Sequence, residues 1–195
     1  GEAPRGNPPL EWSEGKNIKW KVEVPGLGKS TPVVWGDLVF VTTAVPTGKA
    51  APAETPQAGP AAGSRRGGPP AGERPVHLEF VVQAHSRADG KVAWRKVVNE
   101  QTPHEGTHQD GTFASGSALT DGERVYAFFG SRGLYALDLK GKVVWEKQLG
   151  TMQTRLSFGE GASPVLHGDR LVVNWDHEGP DFVVALDKPH AEFRR

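Results

Sequence analysis

The chain contains no cysteine. That removes disulfides, Cys-ligated zinc, iron–sulfur clusters and thiol nucleophiles together. Net charge is absent too, with 23 Lys and Arg offsetting 23 Asp and Glu over 195 residues. The balance lacks the basic field of a nucleic-acid binder and the acidic excess of a solvating tail. No apolar run approaches about 18 residues, so no segment is expected to span a membrane. No basic-then-apolar leader is read from Gly1 onward, as in a processed or shortened N-terminus.

Helical periodicity is nearly missing as well. Glycine (25) and proline (16) make up about a fifth of the chain, well above the usual share. Many of them fall in one low-complexity block, Pro46 to Pro75, whose composition predicts disorder. The block is mildly basic through Arg65, Arg66 and Arg74, and reads as a loop expansion or a tether. The remainder punctuate short runs of Val, Leu, Phe, Tyr and Trp that read as strands.

What is present is a repeat. Residues 31–41 (TPVVWGDLVFV), 117–127 (SALTDGERVYA) and 163–173 (SPVLHGDRLVV) share one strand–turn–strand pattern. Residues 134–145 (LYALDLKGKVVW) match 82–94 (VQAHSRADGKVAW), and Val184-Ala-Leu-Asp187 opens a third copy that lacks the Gly-Lys and the Trp. The second and third copies begin 46 residues apart, at Ser117 and Ser163. Four short strands in roughly 45 residues is the spacing of β-propeller blades.

The predicted fold is therefore all-β: four-stranded antiparallel meanders forming about three propeller blades, the last incomplete. Residues 1–16 are an N-terminal extension. Residues 17–195 form a partial propeller, with blade strands in 17–45 and 76–98, 112–149 and 160–188, and the insert at 46–75. The fourth strand of a blade carries its tryptophan: Trp20, Trp94 and Trp145. In Ile18–Val24 the apolar residues alternate with Lys19, Lys21 and Glu23, which predicts one buried and one wet face. That strand has no first three strands before it. It is expected to complete a last blade, so that the chain is the opening of a longer ring or assembles with further copies. Two blade faces are expected to lie open until missing blades or another copy bury them.

On these motifs the chain resembles the PQQ-binding-like (quinoprotein-like) β-propeller repeat family. The resemblance rests on Ala136-Leu-Asp138 followed by Gly141, Lys142 and Trp145. A degraded copy is found at Ala84, Gly90 and Trp94, and Asp187 opens the third. It implies an eight-bladed ring in bacterial proteins outside the cytoplasm, hence a periplasmic or otherwise extracytoplasmic location. Some members use PQQ with calcium as dehydrogenases of alcohols or sugars. Others resemble the outer-membrane assembly scaffold and hold no quinone. The adjacent Cys pair of the dehydrogenases has no counterpart here, and their calcium and catalytic residues match no position. No catalytic residue, no metal ligand and no required cofactor is therefore assigned. The expectation is a non-catalytic binding or scaffold module. The alternative is a PQQ- and Ca-dependent dehydrogenase whose catalytic residues lie in missing blades.

Strand parity adds a reading that is independent of the family. In an up-and-down meander, alternate loops share a face. The connections after first and third strands are minimal, such as Asp121-Gly122, His167-Gly168 and Lys140-Gly141. Those after second and fourth strands are long and polar, including 99–112, 150–159 and 176–181. They carry His104, Glu105, His108, Asp110, Arg155, Asp176, His177, Glu178 and Asp181. Long loops on a rigid scaffold are where function concentrates, so this face is the predicted site for a protein or peptide partner. His104-Glu-Gly-Thr-His108 matches a zinc-protease pattern, but Pro103, Gly106 and Gly111 deny the helix that chemistry needs. A loop metal site on His104, His108 and Asp110 is a weaker expectation, and Asn174–Asp181 is not spaced as a calcium loop. Gly26-Leu-Gly-Lys-Ser-Thr31 imitates a phosphate loop, but Pro32, Val33 and Val34 rule out the following helix.

Overall fold

The computed structural model describes residues 6–49, 76–155 and 158–194. It contains three four-stranded antiparallel sheets, each strand paired with its sequence neighbour. The first sheet comprises β1 (Val33–Trp35), β2 (Leu38–Pro46), β3 (Leu78–Ser86) and β4 (Val92–Gln101). The second comprises β5 (Leu119–Thr120), β6 (Arg124–Phe128), β7 (Leu134–Asp138) and β8 (Val143–Lys147). The third comprises β9 (Val165–His167), β10 (Arg170–Trp175), β11 (Phe182–Asp187) and β12 (Phe193–Arg194). One 3-10 turn, Gly130–Arg132, is the only helical element named among the described residues.

Strand alternation gives the middle blade two apolar faces. Val125, Ala127, Tyr135 and Leu137 pack on the first blade against Phe40, Phe80, Val82 and Ala84. Tyr126, Phe128, Leu134 and Ala136 pack on the third against Leu171, Val173, Trp175 and Leu186. Each large side chain fully buried in these layers contributes about 2 kcal/mol. Within a blade, the fourth-strand indole leans on an aromatic of the second strand: Trp94 on Phe40 at 5.9 Å and Trp145 on Tyr126 at 6.0 Å.

The three tryptophans also repeat one bond between blades. Trp94 Nε1 donates to the Leu139 carbonyl at 2.9 Å and Trp145 Nε1 to the Lys188 carbonyl at 2.8 Å. Trp20 Nε1 donates to the Arg87 carbonyl at 2.9 Å in the same way. Each acceptor lies in the turn after a third strand of the following blade. At the inner edge a second series runs in parallel. The Thr31 amide donates to Ser117 Oγ at 2.9 Å, and the Ser117 amide donates to Ser163 Oγ at 3.0 Å.

Four details differ from the sequence expectations. The third sheet does reach a fourth strand: Ala191, at φ 57°, takes the turn position of Gly90 and Gly141. Asp187 Oδ1 accepts the His190 and Glu192 amides there, as Asp138 accepts those of Lys140 and Lys142. Ile18–Val24 forms no ladder among the described residues, and only Trp20 and Val24 are half-buried; the segment is held instead by the Trp20 indole, which donates to the Arg87 carbonyl, and by Trp20 and Val22 lying against Gly90. The free face of the first blade is not open: Val81, Gln83 and His85 are buried there. Pro46 closes β2 and Asn99–Gln101 belong to β4, while the remainder of the low-complexity block, 50–75, lies outside the described residues.

Candidate functional site

The long connections β4–β5, β6–β7, β8–β9 and β10–β11 meet around a buried ion pair. Arg132 Nη1 lies 2.8 Å from Glu160 Oε1, with the two side chains 3 % and 4 % exposed. Ser131 completes the carboxylate's shell through its amide at 2.5 Å and its hydroxyl at 2.6 Å. The guanidinium lies over the Phe113 ring at 5.2 Å. Gly130 makes room for the pair, since a Cβ there would sit 1.7 Å from Glu160 Oε2. A lone Arg between two glycines, flanked by the apolar Val125–Phe129 and Leu134–Leu137, is the sequence signal for this centre.

Around the pair, hydrogen bonds lace neighbouring loops together. His104 Nε2 donates to the Met152 carbonyl at 2.7 Å, and its Nδ1 faces Arg132 Nη2 at 3.4 Å. Glu105 accepts the Thr154 hydroxyl at 2.6 Å and the Thr154 amide at 3.1 Å. The Gln153 amide donates to His177 Nδ1 at 3.2 Å, and the Glu178 amide returns a bond to the Gln153 carbonyl at 2.9 Å. His177 is further fixed edge-on to Trp175, which stacks on Phe182 at 5.6 Å.

The predicted residues therefore divide into two groups. His104, Glu105 and His177 are braces between loops. His108, Asp110, Arg155, Asp176 and Glu178 remain exposed on the same face. His108 lies 3.5 Å from Asp110 and edge-on to Phe158 at 5.2 Å, while His104 turns away from both towards the next loop. The structure thus does not bring His104, His108 and Asp110 together as metal ligands.

His104, Glu105 and Glu160 do place ligand atoms within 4.8 Å of one another. Every one of those groups already holds a protein partner, and the Arg132 guanidinium stands among them. A cation would have to displace that charge. The cavity beside the pair measures about 10 Å³, room for about one water. A second groove of about 230 Å³ is lined by Val24, Gly26, Gly28, Ser30, Pro32, Val41 and Thr42, without a charged side chain. PQQ is a planar tricarboxylate that needs free cations and a wide slot. The described residues do not build a site for it or for its calcium ion.

The segment that imitates a phosphate loop lies along β2, where Leu27 and Ala44 exchange both backbone bonds at 2.9 and 3.0 Å. The Lys29 and Thr31 amides donate to the Ala114 carbonyl at 3.3 Å and to Ser117 Oγ at 2.9 Å.

A family model described as the outer membrane protein assembly factor BamB matches residues 10–187. The chain belongs to that family. A search of curated proteins finds no match. Among solved structures, the quinohemoprotein alcohol dehydrogenase of Comamonas testosteroni is similar at 15% identity and a TM-score of 0.51, over 89% of this chain and 21% of that one. BamB of Moraxella catarrhalis is similar at 13% identity and a TM-score of 0.37, over 60% of this chain and 31% of that one. The chain thus spans about a fifth to a third of the length of these two structures. At such identity the dehydrogenase likeness speaks for the shared PQQ-like propeller fold alone.

Proposed function

We propose that this BamB-family chain is a non-catalytic binding or scaffold module that works outside the cytoplasm and holds a protein or peptide on its long-loop face. One observation carries the reading. Three loops, β4–β5, β8–β9 and β10–β11, are braced to one another by Glu105–Thr154, His104–Met152 and Gln153–His177. They form one pre-ordered surface, and their remaining charged groups stay exposed. Ordering the loops in advance lowers the entropy lost on association. The buried Arg132–Glu160 pair serves as the post to which the loops are tied. Its groups are too enclosed and too well matched to act on a substrate.

The test places a photo-reactive residue at Arg155 or Glu178, and in parallel at Lys140 or Asp169 on the short-turn face. All four positions are exposed. Irradiation in the native host is expected to give a discrete protein adduct from the first pair and none from the second. Adducts from the short-turn face, or equal labelling of both faces, would reject the assignment.

A further inference from the structure

His177 is held in one protonation state by the backbone around it. Its Nδ1 accepts the Gln153 amide at 3.2 Å and the Gly179 amide at 3.0 Å. A peptide N–H only donates, so Nδ1 must offer its lone pair, and the proton of the neutral ring lies on Nε2. The loop is shaped around this contact. A Cβ at Gly179 would lie 2.3 Å from His177 Cε1 and 2.9 Å from Nδ1. The Gln153 bond also joins two loops, β8–β9 to β10–β11. The Glu178 amide closes the same bridge on the Gln153 carbonyl at 2.9 Å.

A proton on Nδ1 turns this acceptor into a donor that faces two other donors, and both bonds are lost. Trp175 meets the ring edge-on at 6.1 Å. From the β8–β9 loop the ring faces Gln153, which is uncharged, with Arg155 exposed two residues further on. On its own loop, Asp181 Oδ1 accepts the His177 amide at 2.9 Å, and Asp176 and Glu178 are exposed. A charged ring meets attraction only by turning from the amides towards these carboxylates, and that movement opens the bridge.

The other two histidines of this face lack that property. His104 Nδ1 faces the Arg132 guanidinium at 3.4 Å, with Glu105 and Glu160 beside it. Its bond to Met152 runs through Nε2 and survives a proton on Nδ1. His108 Nδ1 accepts the Asp110 amide at 3.1 Å within a single loop, and the Asp110 carboxylate at 3.5 Å stands ready to receive the proton.

We infer that His177 is a pH-sensitive latch between the β8–β9 and β10–β11 loops, closed when the ring is neutral and released when it is protonated. Imidazole changes charge between about pH 5 and 8. The closed latch holds one proton fewer than the released one, so bracing weakens as pH falls through that range. The consequence for capture of a protein or peptide rests on the reading of this face as the binding surface. The latch itself is a property of the chain alone.

The test follows amide exchange at Gln153, Glu178 and Gly179 by NMR, without a partner, at about pH 7.5 and about pH 5.5. Rates are corrected for the pH dependence of the exchange chemistry. In the unmodified chain these amides are expected to open about fivefold more often at the lower pH, the equivalent of about one hydrogen bond. Ladder amides of β6 and β7 are expected to keep their rates. His177→Asn offers an oxygen acceptor that does not titrate, and His177→Leu offers none. The first is expected to show no pH response, and the second to open equally often at both pH values. Unchanged opening in the unmodified chain, or an equal acceleration in His177→Asn, would overturn the latch. A photo-reactive residue at Arg155 separates the two readings. Protein adducts that weaken at the lower pH support both. Faster exchange with no adduct at either pH supports the latch and rejects the binding surface. Equal adducts with unchanged exchange do the reverse.

Discussion

Trp94 and Gly141 meet across the junction of the first and second blades. A Cβ at Gly141 would lie 2.7 Å from the Trp94 ring, with the glycine at φ +85°. At this junction the indole occupies the space that a side chain on the turn would take. Gly168, in the β9–β10 turn, also takes a positive φ, +58°, but has nothing within 4 Å. Gly168→Ala therefore tests backbone strain alone and is expected to lose about 1 kcal/mol. Gly141→Ala adds the collision and is expected to lose about 1–2 kcal/mol more, in line with overpacking at a filled site. Urea unfolding midpoints of the two variants decide the matter, and equal losses would mean that the indole contact contributes nothing.

The Arg132–Glu160 pair sets up a second comparison. Removing one partner of a buried ion pair leaves the other charge uncompensated, at a loss of about 3–5 kcal/mol. Glu160→Gln keeps the shape while removing the charge that faces Arg132, so a loss in this range is expected. The double variant Arg132→Met/Glu160→Gln removes both charges and is expected to recover a large part of it. A double-mutant cycle by denaturant unfolding measures the coupling. A coupling below about 0.5 kcal/mol would remove the pair's role as the post for the loops.

The same centre shows where sequence reasoning runs out. Blade strands were legible because apolar alternation, turn glycines and the spaced tryptophans are local signals repeated along the chain. The sequence likewise placed the long polar loops together, because strand parity alone puts them there. What it did not reveal is which loop residues are tied to a neighbouring loop. His104 and His177 read as free binding groups, yet one is tied to Met152 and the other to Gln153. Arg132 and Glu160 are 28 residues apart in sequence and become partners only when the middle blade's loops fold over each other. Ile18–Val24 failed in the other direction: its alternation is that of a strand, but a strand exists only where a neighbouring edge accepts its backbone bonds.

The chemistry of the described donors also sets an expectation for ligands. Arg132 is matched by Glu160, and the cavity beside it admits about one water. Adding PQQ with millimolar calcium to this chain is expected to leave its thermal midpoint unchanged, since only a ligand that binds the folded state raises it. A rise of several degrees that is abolished by a chelator would show a quinone–calcium site on these blades.

The last expectation concerns acid. Asp121 sits in the β5–β6 turn, 3.1 Å from the Lys188 ammonium and 3.0 Å from the Tyr126 hydroxyl. Burial alone would raise its pKa. The amides of Arg124 and Glu123, together with Lys188 and Tyr126, outweigh burial and hold the carboxyl at about 2. The native pKa is therefore depressed below the unfolded one. The stability this contributes is complete above about pH 4 and is lost as pH falls towards 2. A depression of nearly two units has a ceiling of about 2.5 kcal/mol. Solvent at the turn screens the carboxylate, and about 1 kcal/mol is the expected effect. Asp121→Asn carries no such carboxylate, so its stability deficit against the unmodified chain is expected to be largest near pH 5 and to shrink by about 1 kcal/mol by pH 2. Lys188 also supplies the carbonyl that Trp145 and Arg124 share, at 2.8 and 2.6 Å. The acid-sensitive group therefore lies at the second junction, and loosening is expected to begin between the second and third blades. Hydrogen exchange resolved along the chain at pH 5 and pH 2.5 checks this. Faster exchange confined to the first blade would place the acid-labile contact elsewhere.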